Sequence, residues 1–159
     1  MSQASSSEWK FRGQEVTDDF FSKICDAGFL GFIYEITEKE TGKKYIGKKG
    51  LLRKYKRKLK GSTRNKITWK ESDWRTYHGS SPVLMERVAS GSYTYDREIL
   101  LFCRGKADMM YYEVKYQLDK NVVFDENYYN QMIHCRTGGR GITPPDELEK
   151  LNEELLNDN

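Results

Sequence analysis

An α+β domain with a small, mainly antiparallel three-stranded sheet flanked by helices is what these 159 residues point to. Residues 29–37 and 43–48 are short apolar-aromatic runs either side of a polar turn at Gly42, the pattern of a β-hairpin. Residues 93–102 (YTYDREILLF) form a third run with the composition of a strand. The segments between and around these runs carry helix starts and stops.

The elements follow in order. Residues 1–8 are Ser-rich and are expected to be disordered. Residues 9–27 hold Trp9, Phe11, Phe20, Phe21 and Ile24, a lead-in expected to pack on the core. Within it, Thr17 followed by DDFFSKI reads as a capping hydroxyl, two acids in the first turn, then apolar residues. In the hairpin, a four-residue loop at 38–41 pairs Thr37 with Gly42 and sets Tyr34 opposite Tyr45, on one face. A five-residue loop would shift the pairing by one and separate them. Residues 51–60 read as a helix, with Leu51, Tyr55 and Leu59 toward the core and Arg53 and Arg57 sharing another face. Residues 61–68 read as a flexible basic loop, 71–77 as a short helix ending at HGSS, and 82–89 as a helix stopped by Gly91. After the third strand, Asp108 is placed to cap a helix running to about Asp119. Val122 and Val123 fall in a loop, residues 125–133 carry YYN before the glycine-rich TGGRG, and Pro144 and Pro145 open an acidic amphipathic tail. Three units result: a lead-in at 1–28, a main domain at 29–142 and a tail at 143–159.

The formal net charge is +3, but it is unevenly spread. Residues 43–66 hold twelve Lys or Arg and no acid, whereas residues 146–159 hold six acids and one lysine. A basic block of that density is matched to a polyanion, and nucleic acid is the expected partner. No apolar run reaches eighteen residues and the N-terminal MSQASSSEWK lacks an apolar segment, so neither a membrane span nor a signal peptide is expected. The expected location is cytoplasmic. Cys25, Cys103 and Cys135 form no CxxC pair and read as small buried hydrophobes, with no disulfide framework or Cys-based zinc site.

The hairpin motifs, Gly31-Phe32-Ile33-Tyr34 and Tyr45-Ile46-Gly47, lie eleven residues apart by their tyrosines. With Glu113 in MMYYEVKYQ and Asn130 in YYN, they resemble the GIY-YIG endonuclease superfamily over residues 31–133. YIGKK, DWRTYHGSS, YYEVKYQ and YYN together resemble its phage-encoded members. The resemblance implies a metal-dependent DNA endonuclease that uses Mg²⁺ or Mn²⁺, leaves 5′-phosphate and 3′-hydroxyl ends, and works in the host cytoplasm. Sequence specificity is expected to be limited unless a homodimer or an accessory protein supplies it. The chain departs from the family at its arginine: eight residues beyond the glycine stands Tyr55. Arg57 is the favoured replacement and Arg53 the second, with Lys48, Lys49 or a residue near His78 as further candidates.

Hydrolysis of a phosphodiester needs an activated water, neutralised phosphate charge and a stabilised leaving oxygen. Tyr34 is assigned to positioning or deprotonating the water, its ordinary pKa of ~10 being lowered by nearby cations and a metal. Tyr45 would hydrogen-bond the phosphate or the base; otherwise both are half-buried sheet tyrosines. Glu113 is the metal ligand, as Mg²⁺ accepts one or two carboxylates plus phosphate oxygens and waters. Asn130 would hold nearby backbone or phosphate. His78 reads as a ligand, a proton carrier or a loop residue, and His134 as structural. Lys49, Lys54, Lys56, Lys58, Lys60, Arg64 and Lys66 are candidate phosphate contacts, which give affinity without sequence information. Trp69, Trp74 and Tyr77 either stack on bases or belong to the core. A rival reading is a catalytically inactive nucleic-acid-binding module of the same fold. Another is a protein-interaction factor whose acidic tail mimics DNA or covers the basic block.

Overall fold

The computed structural model describes residues 9–134, 136, 138 and 140–157. The expectations for residues 1–8 and for Cys135 lie outside them. The chain runs β1 (Lys10–Phe11), β2 (Gln14–Glu15), α1 (Asp18–Asp26), β3 (Gly31–Glu38), β4 (Lys44–Gly50), β5 (Leu52–Lys58), β6 (Asn65–Glu71), a 3₁₀ turn (Trp74–Thr76), α2 (Pro82–Ser90), β7 (Tyr95–Cys103), α3 (Lys106–Asp119) and α4 (Pro145–Leu156). The class is α+β, but the sheet is larger than three strands and is mixed. Its order is β2-β1-β7-β3-β4. The expected antiparallel trio, β7-β3-β4, forms the centre and one edge. The lead-in extends it: β1 pairs parallel with β7, and β2 folds back on β1. Two-residue strands are too short to show a period in sequence, so Trp9 and Phe11 read only as apolar residues.

Local signals explain the helix ends. The Thr17 hydroxyl accepts from Phe20 N at 3.2 Å, and the Ser81 hydroxyl from Leu84 N at 3.4 Å. Gly91 closes α2 at φ +71°, where a side chain would be strained. Asp108 does not cap α3 as expected; Gly105 does. Asp108 sits inside the first turn, where it accepts from Arg104 N (3.0 Å), Thr143 N (2.6 Å) and the Thr143 hydroxyl (2.9 Å). It thereby ties the start of α3 to the chain that enters α4.

The hairpin register differs from the expected one by two residues. Tyr34 faces Gly47 and Tyr45 faces Ile36, because six residues rather than four separate the paired Thr37 and Lys44. A shift of two preserves the face, so the two phenols remain diagonal neighbours.

The expected helix at 51–60 is instead β5, hydrogen-bonded to β6 as a separate two-stranded ribbon. Leu51 is buried at its root, but Tyr55 and Leu59 are each 45% exposed and do not share a core-facing stripe. Asn65–Glu71 (NKITWKE), rich in strand formers, supplies the pairing partner, so the expected loop at 61–68 contracts to a tip before β6. The expected helix at 71–77 is reduced to the 3₁₀ turn.

One face of the sheet carries an aromatic core in which Trp9, Phe32, Tyr34 and Phe102 meet edge to face, with Trp74 packed on Phe32. Helix α3 packs on β3, β4 and β7, and α4 packs on β7. Leu148 and Leu155 of the acidic tail are buried there, and Asn152 brackets the Phe102 backbone at 2.6 and 3.0 Å. Residues 127–130 form a strap along the free edge of β4. Lys44 N donates to Asn127 O and Tyr129 N to Lys44 O, both at 2.7 Å.

Candidate active site

The tyrosines are placed by packing. Tyr34 is 0% exposed and lies over Gly47, the strand residue opposite it. A Cβ on Gly47 would sit on the Tyr34 hydroxyl and 2.6 Å from its Cζ, so the motif glycine is the room this ring needs. A one-residue bulge in β7 beside Tyr34 shifts the register there, with Ile33 facing Leu101 but Tyr34 facing Ile99. The Tyr45 ring lies 6.2 Å from Tyr34, and that of Tyr77 5.9 Å away, edge-on. Among the described residues the Tyr34 hydroxyl has no hydrogen-bond partner. Burial, then the neighbouring phenols of Tyr77 and Tyr45, hold its pKa well above the ordinary value. This corrects the expectation that cations lower it. Strand alternation sends Lys48 to the opposite face of β4 from Tyr34, and the lysine on the tyrosine face is Lys49.

The other candidates meet where β4 forms the edge of the sheet. A cleft of about 370 Å³ is lined by Tyr45, Lys48, Ser80, Glu113, Asn130 and His134, among others. Tyr45 reaches it from one face of the sheet, and its hydroxyl lies 3.1 Å from Ser80 Oγ. Burial raises the Tyr45 pKa, against the Ser80 hydrogen bond, which lowers it. From the other face Lys48 Nζ donates to Glu113 Oε1 of α3 at 3.0 Å. The Glu113 side chain is only 12% exposed, and Lys48 is the one Lys or Arg among the described residues lining the cleft. His134, read as structural from sequence, is exposed and lines this cleft. Only its position in the fold reveals this, since it has no partner at metal-ligand spacing. A smaller cleft between α3 and α4, lined by Tyr112, Tyr116 and Leu148, contains none of the candidate catalytic, metal-binding or phosphate-contact residues.

The remaining candidates are elsewhere or otherwise engaged. Asn130 holds backbone: its Oδ1 accepts from Ile46 N at 3.0 Å and its Nδ2 donates to Ile46 O at 2.8 Å. Gln117, missed in the sequence, adds a bond to the same carbonyl at 3.1 Å, leaving its own carbonyl oxygen buried without a partner among the described residues. His78 donates from Nδ1 to Thr76 O at 2.8 Å and packs edge-on against Tyr95, outside the residues that line the cleft. Lys49 and Arg53 share Asp73 Oδ1, at 2.6 and 3.0 Å, and Lys49 also lies over the Tyr77 ring. Arg57 is paired opposite Lys66, five residues along β5 from Leu52 and so roughly 17 Å further out at strand spacing. Lys54, Lys56, Lys58, Lys60, Arg64 and Lys66 are exposed on the ribbon and its tip. Trp74 is core, Tyr77 is half-buried against Tyr34, and Trp69 is exposed on the ribbon.

Two arginines absent from the sequence reading are committed inside the fold. Arg87 of α2 donates to both oxygens of buried Glu38, at 2.7 and 3.0 Å. Arg97 is buried over Trp9 and donates to the carbonyls of Tyr77 and Arg75, at 2.7 and 2.9 Å, while burial lowers its pKa to about 10. It fixes the chain that lies across the tyrosines.

Among the described residues no three His, Cys, Asp or Glu form a ready-made metal site. The donor set still fits a hard divalent cation: one largely shielded carboxylate, Glu113, faces a cleft large enough to admit a phosphate and its waters. Such a cation would take its other oxygens from the substrate.

A family model described as "Putative endonuclease segE, GIY-YIG domain" matches residues 9–133. That span takes in β1, both tyrosines, the ribbon, α3 and the strap. No curated protein and no solved structure matches the chain.

Proposed function

The chain belongs to the segE-type GIY-YIG endonuclease family, and from that premise we propose that it hydrolyses DNA phosphodiesters with Mg²⁺ or Mn²⁺ in the cleft at the edge of β4. The observation that carries this reading is convergence: Tyr45 and Lys48 of β4, Glu113 of α3 and His134, from three separate parts of the chain, line one cleft beside Tyr34. Glu113 would hold the cation, which would supply charge neutralisation at the phosphate. Lys48 offers its ammonium to a phosphate oxygen. Burial keeps both phenols protonated, so Tyr45 acts as a hydrogen-bond donor to the phosphate or the water, backed by Tyr34. As the water attacks phosphorus its proton passes to His134, imidazole being the side chain most used for that task, while the P–O3′ bond breaks and the leaving 3′-oxygen takes a proton from solvent. The cleft's chemistry addresses phosphate rather than base edges, which is the ground for limited sequence preference. The binding-module reading draws on one observation, the Lys48–Glu113 pair, which engages the carboxylate that a metal would need.

Supercoiled plasmid incubated with Mg²⁺, Mn²⁺ or EDTA decides between them. Cutting that needs the cation is expected, with Glu113→Ala inactive. Tyr45→Phe should be about 10²-fold slower, and His134→Ala between about 10² and 10⁴-fold slower. Glu113→Ala cutting at the wild-type rate would remove the carboxylate from the site. Nucleic acid bound but left uncut by the wild type with either cation would favour the binding module.

A further inference from the structure

The ribbon β5–β6 is a surface that the cleft chemistry does not use. It is a two-stranded antiparallel hairpin separate from the main sheet, and every residue of both strands except Leu52 is exposed. Residues 52–71 hold nine Lys or Arg and a single acid, Glu71, at the root. Register sorts them into two faces, because directly paired residues share a face. One face presents Arg53 with Lys70, Tyr55 with Thr68, and Arg57 with Lys66. The other presents Lys54 with Trp69, Lys56 with Ile67, and Lys58 with Asn65.

The first face sets like charges opposite one another, the inner pair eased by Asp73 beside Arg53 and the Tyr55 ring under Lys70. Arg53 and Lys70 stand directly opposite, as do Arg57 and Lys66. Like charges in that relation destabilise a strand pair, and a two-stranded ribbon has little to spare. A polyanion laid on this face turns both repulsions into attractions. The second face has no like-charged pair among its direct partners. The root is also oriented: Ser72 N donates to Leu51 O at 2.8 Å, and Arg53 and Lys49 meet at Asp73 next to Tyr77. The cationic row therefore begins beside the tyrosines and leads outward.

We propose that the ribbon lies in the major groove of duplex DNA, with the Arg53, Arg57, Lys66 and Lys70 face toward the nucleic acid, and leads the scissile strand to the cleft. The groove, about 12 Å wide, admits a two-stranded ribbon, and its arginines and lysines can reach the phosphate walls on either side. The deep, narrow major groove of A-form RNA excludes such an element. The inference rests on the DNA-directed reading above, but it concerns binding and is tested without turnover.

Binding to a short duplex is measured in EDTA over a range of salt, so that no cutting is required. Arg57→Gln/Lys66→Gln should weaken binding at least ten-fold. It should also flatten the salt slope by about 1.8, since two phosphates are no longer neutralised and each accounts for ~0.9. Its melting temperature should equal or exceed that of the wild type, since a repulsion is removed. Arg57→Gln alone serves should the pair disturb the ribbon. Lys56→Gln/Lys58→Gln on the other face should lose clearly less affinity, and the charge-matched Lys115→Gln/Lys120→Gln on and just after α3 should lose little. Methylation of guanine N7, which lies in the major groove, should weaken wild-type binding. Equal losses from both faces, indifference to N7 methylation, or tighter binding of single-stranded DNA or RNA would each overturn the proposal. Ribbon variants that bind poorly while the wild type never cuts would leave it standing and count against the nuclease reading instead.

Discussion

Tyr34 shows how a single residue can carry conflicting demands. Its ring is fully buried and requires Gly47 opposite it, yet its hydroxyl is left without a partner among the described residues. A buried unpaired hydroxyl costs ~1–3 kcal/mol. Tyr34→Phe is therefore expected to raise unfolding stability by about 1 kcal/mol. If the phenol serves the reaction, cutting should fall by about 10²-fold in the same variant. Denaturant unfolding and plasmid cleavage, run side by side, test the two halves. Greater stability with unchanged cutting would make Tyr34 a packing residue. Gly47→Ala should act in the opposite sense. Its methyl group meets the Tyr34 ring, and overpacking of this kind costs ~1–3 kcal/mol in an unfolding experiment. Strand alternation made the nearness of the two tyrosines legible in the sequence. It did not reveal their electrostatics, because the depth of burial depends on Trp9 and Tyr77 arriving from distant parts of the chain.

Among the elements, the ribbon stands where the residue spacing points to a helix, for a definite reason. Residues four apart share a face in a helix, but they also share one in a strand. Leu51, Tyr55 and Leu59, and likewise Arg53 and Arg57, fit both periods. What decided the matter was a partner strand further along the chain, with Thr68 facing Tyr55. Asparagines show a similar limit. Asn130 and Asn152 each bracket one backbone unit on an open stretch of sheet edge, Ile46 on β4 and Phe102 on β7. A carboxamide carries one acceptor and two donors, so it can imitate a neighbouring strand. Neither role can be seen without knowing which strand is exposed at the edge. Asn130→Ala removes both bonds and leaves Ile46 N without this acceptor, at a cost of about 1–3 kcal/mol. Faster amide hydrogen exchange at Ile46 should accompany the loss. Unchanged exchange would mean that Gln117 of α3 and the rest of the strap already protect this edge.

At the scale of the whole molecule, the buried ionisable groups predict how the fold responds to acid. Glu38, at the end of β3, is 0% exposed. Burial pushes its pKa up, but hydrogen bonds from Arg87, Thr41 and Tyr129, with the charge of Arg87, outweigh it and bring the value to about 2. The network joins β3, α2 and the strap, and Tyr95 adds β7 through a 3.2 Å bond. The folded pKa lies below the unfolded one, so the unfolded chain binds the proton first. The stabilisation is full above about 4.5 and is lost as pH falls toward about 2. His78 behaves in the same sense at higher pH. Burial lowers its pKa from 6.5, so the fold begins to lose this contribution as pH drops below 6.5. Stability should therefore decline gently below pH 6.5 and more steeply below about 4.5. Denaturant midpoints from pH 7 to pH 3 would trace both stages. Glu38→Gln should lower stability at pH 7, where it takes the carboxylate partner from Arg87, and should flatten the lower stage. His78→Asn, which can still donate to Thr76 O, should remove the upper stage and leave the lower one intact. A lower stage that persists in Glu38→Gln would place the acid sensitivity in other carboxylates.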